Sequence, residues 1–167
     1  DVDAWDLPAW PQRTETLDVG ALVPLVARPP DPSDVVPVTE AAGPEIHQAF
    51  VGSCAGGRLE DLQEAADVLK GRKVAPGVRM VVTPASRQEY LRALRAGVIE
   101  ILVEAGAQVT DSSCGACGGI DKGLLGAGEV CVSTSNRNFR GRMGDPDAQV
   151  YLASARTVAA SAVAGRL

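Results

Sequence analysis

The chain has 167 residues, of which 46% are apolar and 4% aromatic, and a net charge of −5. That is enough apolar matter for one compact domain and excludes disorder throughout, while the acidic balance argues against a nucleic-acid surface. No apolar run approaches membrane-spanning length, and the acidic start Asp1-Val2-Asp3 lacks the charge and apolar segment of a leader, so a cytoplasmic setting is expected.

Eight of the 11 prolines fall within residues 1–44, which therefore read as an extended arm or connector and not as a set of regular elements. Trp5 and Trp10 lie in this arm, either capping a local apolar patch or meeting another domain. From residue 45 to 167 the pattern changes to alternating strand, loop and helix. Residues 46–52 read as an apolar strand that runs into Gly52-Ser53-Cys54. Leu59, Leu62, Ala65, Ala66 and Leu69 then recur at helical spacing up to Gly71. A second strand is expected at 78–82, a helix at 87–96 behind Pro84 and Ser86, and a short helix at 98–105. A third strand at 107–110 leads to a Gly-rich loop over 114–128. A fourth at 130–134 leads to a polar loop over 135–145, and an Ala- and Val-rich helix closes the chain at 155–164. Such alternation implies an α/β fold, a mostly parallel sheet with flanking helices, and ligand sites beyond the carboxyl ends of the strands. Cys54, the Cys114–Cys117 pair and residues 135–142 all follow strands in this way.

Cys54, Cys114 and Cys117 each sit in a loop of small residues, as soft thiolate ligands of an iron–sulfur cluster would. Cys131 lies inside the apolar run Val130-Cys131-Val132 and reads as a buried structural thiol. A structural zinc site would need a fourth ligand, and a thioredoxin-like pair would stand after the first strand rather than late in the chain. His47, the one histidine, begins a strand and receives no role. Three thiolates on a cubane leave one iron open to act as a Lewis acid. Arg137, Arg140 and Arg142 form a basic loop able to clamp carboxylates in bidentate fashion.

Three runs together carry a family resemblance. Gly52-Ser53-Cys54, Ser113-Cys114-Gly115-Ala116-Cys117-Gly118 and Ser133-Thr134-Ser135-Asn136-Arg137-Asn138-Phe139-Arg140-Gly141-Arg142 resemble the signature loops of the aconitase superfamily. Flanking runs such as Gly57-Arg58-Leu59-Glu60-Asp61-Leu62 and Met143-Gly144-Asp145-Pro146 resemble the large subunit of the isopropylmalate isomerases, also called isopropylmalate dehydratases. The resemblance spans residues 35–167. It implies a C-terminal cluster-binding domain in which Cys54, Cys114 and Cys117 hold a 4Fe–4S cluster. It further implies that Asn136, Arg137 and Arg142 face a di- or tricarboxylic acid substrate, whose hydroxyl moves between adjacent carbons by dehydration and rehydration. Catalysis in that family also needs the remaining large-subunit domains and a small swivel subunit with a serine base, so these are the expected partners.

Where the family usually reads Ser-Cys-Thr-Asn at the first cysteine, this chain has Ala55 and Gly56 in place of Thr and Asn. Hydrogen bonds those side chains would lend to a bound cluster are lost with them. The alternative from another class is a non-catalytic iron–sulfur or iron-sensing module, since the aconitase scaffold also serves in iron-dependent RNA binding. The acidic balance counts against the RNA-binding version. A third reading is a structural domain whose cysteines stay reduced and empty.

Overall fold

A computed structural model describes residues 14–16 and 18–167. Trp5 and Trp10 lie outside the described residues. The strands are β1 (Leu25–Ala27), β2 (Val35–Pro37), β3 (Gln48–Gly52), β4 (Arg79–Thr83), β5 (Gln108–Val109), β6 (Val130–Ser133) and β7 (Gln149–Ala153). The helices are α1 (Val38–Ala41), α2 (Ser53–Gly56), α3 (Leu59–Leu69), α4 (Arg87–Arg95), α5 (Val98–Glu104) and α6 (Ala155–Ala164). No helix among the described residues is long and apolar enough to cross a membrane.

All seven strands join one sheet in the order β2-β1-β7-β6-β3-β4-β5. The five from β7 to β5 are mutually parallel, and β1 and β2 extend the β7 edge in antiparallel fashion. The expected α/β architecture with a mostly parallel sheet is therefore present. Strand side chains alternate between faces. Ala49, Val51, Met80, Val82 and Val132 join Leu62, Ala65, Leu69, Leu102, Val158 and Ala162 of the helical layer in one core. Phe50, Val81, Cys131 and Val150 point the other way, where no helix covers them. Ala116 and Cys117 of a single 3-10 turn, with Leu125 and Met143 of the loops, close that face instead.

Local chemistry explains the helices. The Asp61 carboxylate accepts the Arg58 N–H at 3.1 Å, and the Glu89 carboxylate accepts the Leu59 N–H at 2.8 Å, so two acids satisfy two of the free N-terminal donors of α3. Ser86 Oγ accepts from Glu89 N–H at the start of α4, and Ser154 Oγ from Thr157 N–H at the start of α6.

Two features depart from expectation. Residues 25–41 hold β1, β2 and α1, not a connector free of regular elements. The reason is a closed hairpin. Arg28 N–H donates to the Asp34 carbonyl at 2.9 Å, while the guanidinium meets both Asp34 oxygens at 2.8 and 2.9 Å. Pro37 is accommodated because β2 is an edge strand, where a missing donor is not needed for the ladder. The second is β7, a stretch to which the sequence pattern assigned no element, which pairs in parallel with β6 from Val130↔Gln149 to Ser133↔Leu152.

The strand order positions the site. From β3 the chain passes through α3 to β4 on one side, whereas from β6 it passes to β7 on the other. The two strands are neighbours at the centre of the sheet, so their departing loops part company at the carboxyl ends. Such a switch point is where open α/β sheets place their ligand crevice.

Candidate metal centre

The first loop begins at this switch point. The Gly52 N–H donates to Thr134 Oγ1 at 2.9 Å. Ser53 follows with φ +60° and is buried, its hydroxyl without a partner. Cys54 is the next residue, exposed on the single turn of α2. At Gly56 that turn lies so close to β6 that a β-carbon would overlap Thr134 Oγ1 and Cβ, so only glycine fits as the loops now stand.

The second loop leaves β5 past Thr110, whose hydroxyl shares a hydrogen bond of 2.8 Å with buried Thr83. Cys114 is exposed, and Cys117, in the 3-10 turn Gly115–Gly118, is only 5% exposed and packs in the core of the coil-covered face. Lys122 Nζ donates to the Asp111 carbonyl and Ser113 Oγ, both at 3.4 Å. Gln48, buried within β3, donates from Nε2 to the Gly123 carbonyl at 2.7 Å. The loop is tied down once more before β6, where Glu129 accepts the Gly126 N–H at 2.8 Å and both Arg79 terminal nitrogens at 2.8 and 2.7 Å. That guanidinium holds the Glu129 carboxyl at about 2, against its ordinary 4.5, with the Gly126 N–H adding to the effect.

In the third loop, Ser135 N–H donates to Ser133 Oγ at 3.0 Å and the two hydroxyls bond at 2.9 Å. Asn136 and Arg137 are exposed, with Arg137 Nη1 donating to the Asn136 carbonyl at 2.7 Å. Asn138 turns inward and donates to the Arg28 carbonyl at 2.9 Å, stitching the loop to the hairpin. The Arg142 guanidinium lies 5.6 Å from the centroid of the Phe139 ring, and its Nε is buried without a partner. Arg140 faces away, paired with Asp147 at 2.8 Å. This loop also touches the second. Leu125 N–H donates to the Met143 carbonyl and Asp145 N–H to the Leu125 carbonyl, both at 2.9 Å.

Of the residues singled out from sequence, Cys54 and Cys114 line one cleft of about 760 Å³ with Ser86, Arg87, Tyr90 and Ser112. Cys117 lies in the turn beside Cys114 but not on that cleft, and neither do Asn136, Arg137 or Arg142. Among the described residues, no three His, Cys, Asp or Glu side chains gather as ligands of a metal ion. Cys131 is buried in β6, and burial pushes its thiol up to about 12. Thr134, Asn138 and Gln48 escaped the sequence reading. A polar side chain breaking the apolar run of β3 is the signal for Gln48, whereas Thr134 and Asn138 sit among other polar residues of 133–142 with nothing local to single them out.

The Aconitase family model (aconitate hydratase) matches residues 11–165. The chain belongs to the aconitase family. Among its similar proteins, the 3-isopropylmalate dehydratase large subunit 2 of Archaeoglobus fulgidus is 53% identical over 149 residues, covering 89% of this chain and 36% of that protein. The probable 3-isopropylmalate dehydratase large subunit of Methanothermobacter thermautotrophicus is 58% identical over 151 residues, covering 90% and 36%. The homoaconitase large subunit of Thermus thermophilus is 54% identical over 151 residues, with the same coverage, 90% and 36%. The chain thus spans about a third of the length of these aconitase-family relatives.

A cluster is consistent with the donors present. Four buried side-chain polar atoms lack a partner among the described residues: Ser53 Oγ, Ser112 Oγ, Asn138 Oδ1 and Arg142 Nε. All four belong to the three loops. Buried polar groups are normally satisfied, and two of these four stand by the cysteine cleft, Ser53 next to Cys54 in the chain and Ser112 on the cleft with Cys114, where a further group would find partners. A cluster has several metal centres and draws its thiolates from points further apart than one ion does, which suits two thiols on a cleft and a third beside it.

Proposed function

We propose that this chain is the cluster-binding part of an aconitase-type hydro-lyase of the isopropylmalate dehydratase kind. The observation that carries the reading is the convergence of three loops on one end of the sheet, together with every unpartnered buried polar side-chain atom of the described residues. Cys54, Cys114 and Cys117 are the thiolates that hold a 4Fe–4S cluster. When bound, such a cluster with three protein ligands supplies an open iron able to polarise a hydroxyl leaving group.

The chain's own residues bind and orient. Arg142, Arg137 and Asn136 hold the carboxylates of a hydroxy di- or tricarboxylic acid, with Phe139 steadying the Arg142 guanidinium. Gln48 and Glu129 fix the coil that carries Cys117 against the sheet. The proton that leaves the adjacent carbon goes to a base on the remaining large-subunit domains or the small subunit, which are the partners of this chain. Relatives named as large subunits support that division of labour. The same names, all of dehydratase or homoaconitase subunits, do not favour the non-catalytic iron-sensing alternative.

Anaerobic reconstitution with iron and sulfide tests the reading. It is expected to yield about four irons and matching sulfide per chain, with loss of stable incorporation in Cys54→Ser, Cys114→Ser and Cys117→Ser and retention in Cys131→Ser. One tightly bound zinc per chain without sulfide, or equal loss in all four variants, would overturn it.

A further inference from the structure

We infer that Thr134 is a positioning residue that sets the geometry of the Cys54 turn from the opposite side of the crevice. Its purpose rests on the cluster reading above, but the latch belongs to the bare chain and can be tested there.

The backbone ladder between β3 and β6 ends just before the site. Its register runs from Gln48↔Cys131 to Phe50↔Ser133, and Thr134 N–H donates to the Phe50 carbonyl at 3.0 Å. The donor at Gly52 then meets a side chain instead of a backbone carbonyl, Thr134 Oγ1 at 2.9 Å. Immediately afterwards Ser53 adopts φ +60°, a conformation that residues with a side chain keep only where their surroundings impose it. At the far end of the turn, Thr134 also fills the space in which a β-carbon of residue 56 would lie. One threonine therefore touches the turn on both sides of Cys54, at Gly52 and at Gly56. It does so from the loop that bears Asn136 and Arg142, so the first ligand thiol is placed by the loop assigned to the substrate.

Three measurements on Thr134→Val and Thr134→Ser test the assignment. In the bare reduced chain, Thr134→Val is expected to speed amide exchange at Gly52 about two- to tenfold, the loss of one ordinary hydrogen bond, while Ala49 and Val51 exchange as in the parent. The rate at which iodoacetamide alkylates Cys54 should change in that variant while the rate at Cys114 does not. After anaerobic reconstitution, Thr134→Val should lose iron and sulfide to air faster than the parent, and Thr134→Ser should match the parent in all three respects. Gly56→Ala, which keeps the hydroxyl but forces it aside, should behave as Thr134→Val and carries the test if that variant fails to fold.

Parental exchange at Gly52 and parental alkylation of Cys54 in both Thr134→Val and Gly56→Ala would overturn the latch. Loosened turns that still hold the cluster as long as the parent would overturn its positioning role. If the parent itself takes up no iron and sulfide while the bare-chain effects appear, the cluster reading falls and the latch stands.

Discussion

Replacing Glu129 by glutamine removes the charge that ties the coil-covered face to β4. The carboxylate takes two hydrogen bonds from Arg79 and one from Gly126 N–H, and it sits one residue before β6. Arg79 holds it at about 2 where an unfolded glutamate has 4.5. That gap corresponds to roughly 3 kcal/mol at most. The side chains of Arg79 and Glu129 are 48% and 22% exposed, so solvent screening reduces the contribution to about 1–2 kcal/mol. For a chain of this size each kcal/mol corresponds to about 2–4 °C in Tm. Because the folded pKa is depressed, the stabilisation is complete above the unfolded value and is lost as pH falls towards the folded one. By about pH 3 more than half of it is gone. Urea unfolding of parent and Glu129→Gln across pH 7 to 3 should therefore show a gap at neutrality that narrows through the acid range. Equal stability at pH 7, or a gap that stays constant down to pH 3, would refute the reasoning.

Gly144→Ala should cost about 1–3 kcal/mol by calorimetry, because φ there is +140° and a β-carbon would overlap the Leu125 backbone; an unchanged Tm would count against the close approach of the second and third loops. Iodoacetamide should label Cys54 and Cys114 in the native reduced chain and reach buried Cys117 and Cys131 only on unfolding; native labelling of Cys131 by mass spectrometry would contradict its burial. In the proposed assembly with partner subunits, Arg142→Lys should lower kcat/KM at least about tenfold through loss of bidentate contact, and exposed Arg72→Lys should not; equal activities would remove Arg142 from the proposed carboxylate site.

Much of the helical layer was legible because its signals are local. Leu62, Ala65, Ala66 and Leu69 at helical spacing mark α3, Ser86 marks the start of α4, and α6 occupies the residues its composition suggests. The rule that parallel sheets carry sites beyond their carboxyl ends located all three loops. What stayed hidden depends on distant partners. The hairpin of β1 and β2 is held by pairing with β7 and by the ion pair of Arg28 with Asp34, neither visible in a proline-rich stretch. Insertion of β6 beside β3, rather than beyond β5, creates the crevice and has no local signature. Within the site, the cysteines were read alike, yet Cys117 is buried while Cys54 and Cys114 are exposed, because the 3-10 turn swings it onto Phe50 and Val81. Asn138 and Arg28 meet across 110 positions of sequence.

The sheet has helices on one face and coil on the other, and this asymmetry divides the molecule into parts of unequal endurance. The helical side rests on the larger apolar core, whereas the coil side rests on a small one and a few polar ties. Sub-global opening in such a protein releases the weaker layer first and leaves the sheet and its helices standing. A cluster held as proposed, with Cys117 among its ligands, would bond in part to that weaker layer, and its binding free energy would be delivered where cohesion is least. Loading the site would then act as the last step of maturation, turning a half-finished surface into a rigid one without disturbing the scaffold beneath.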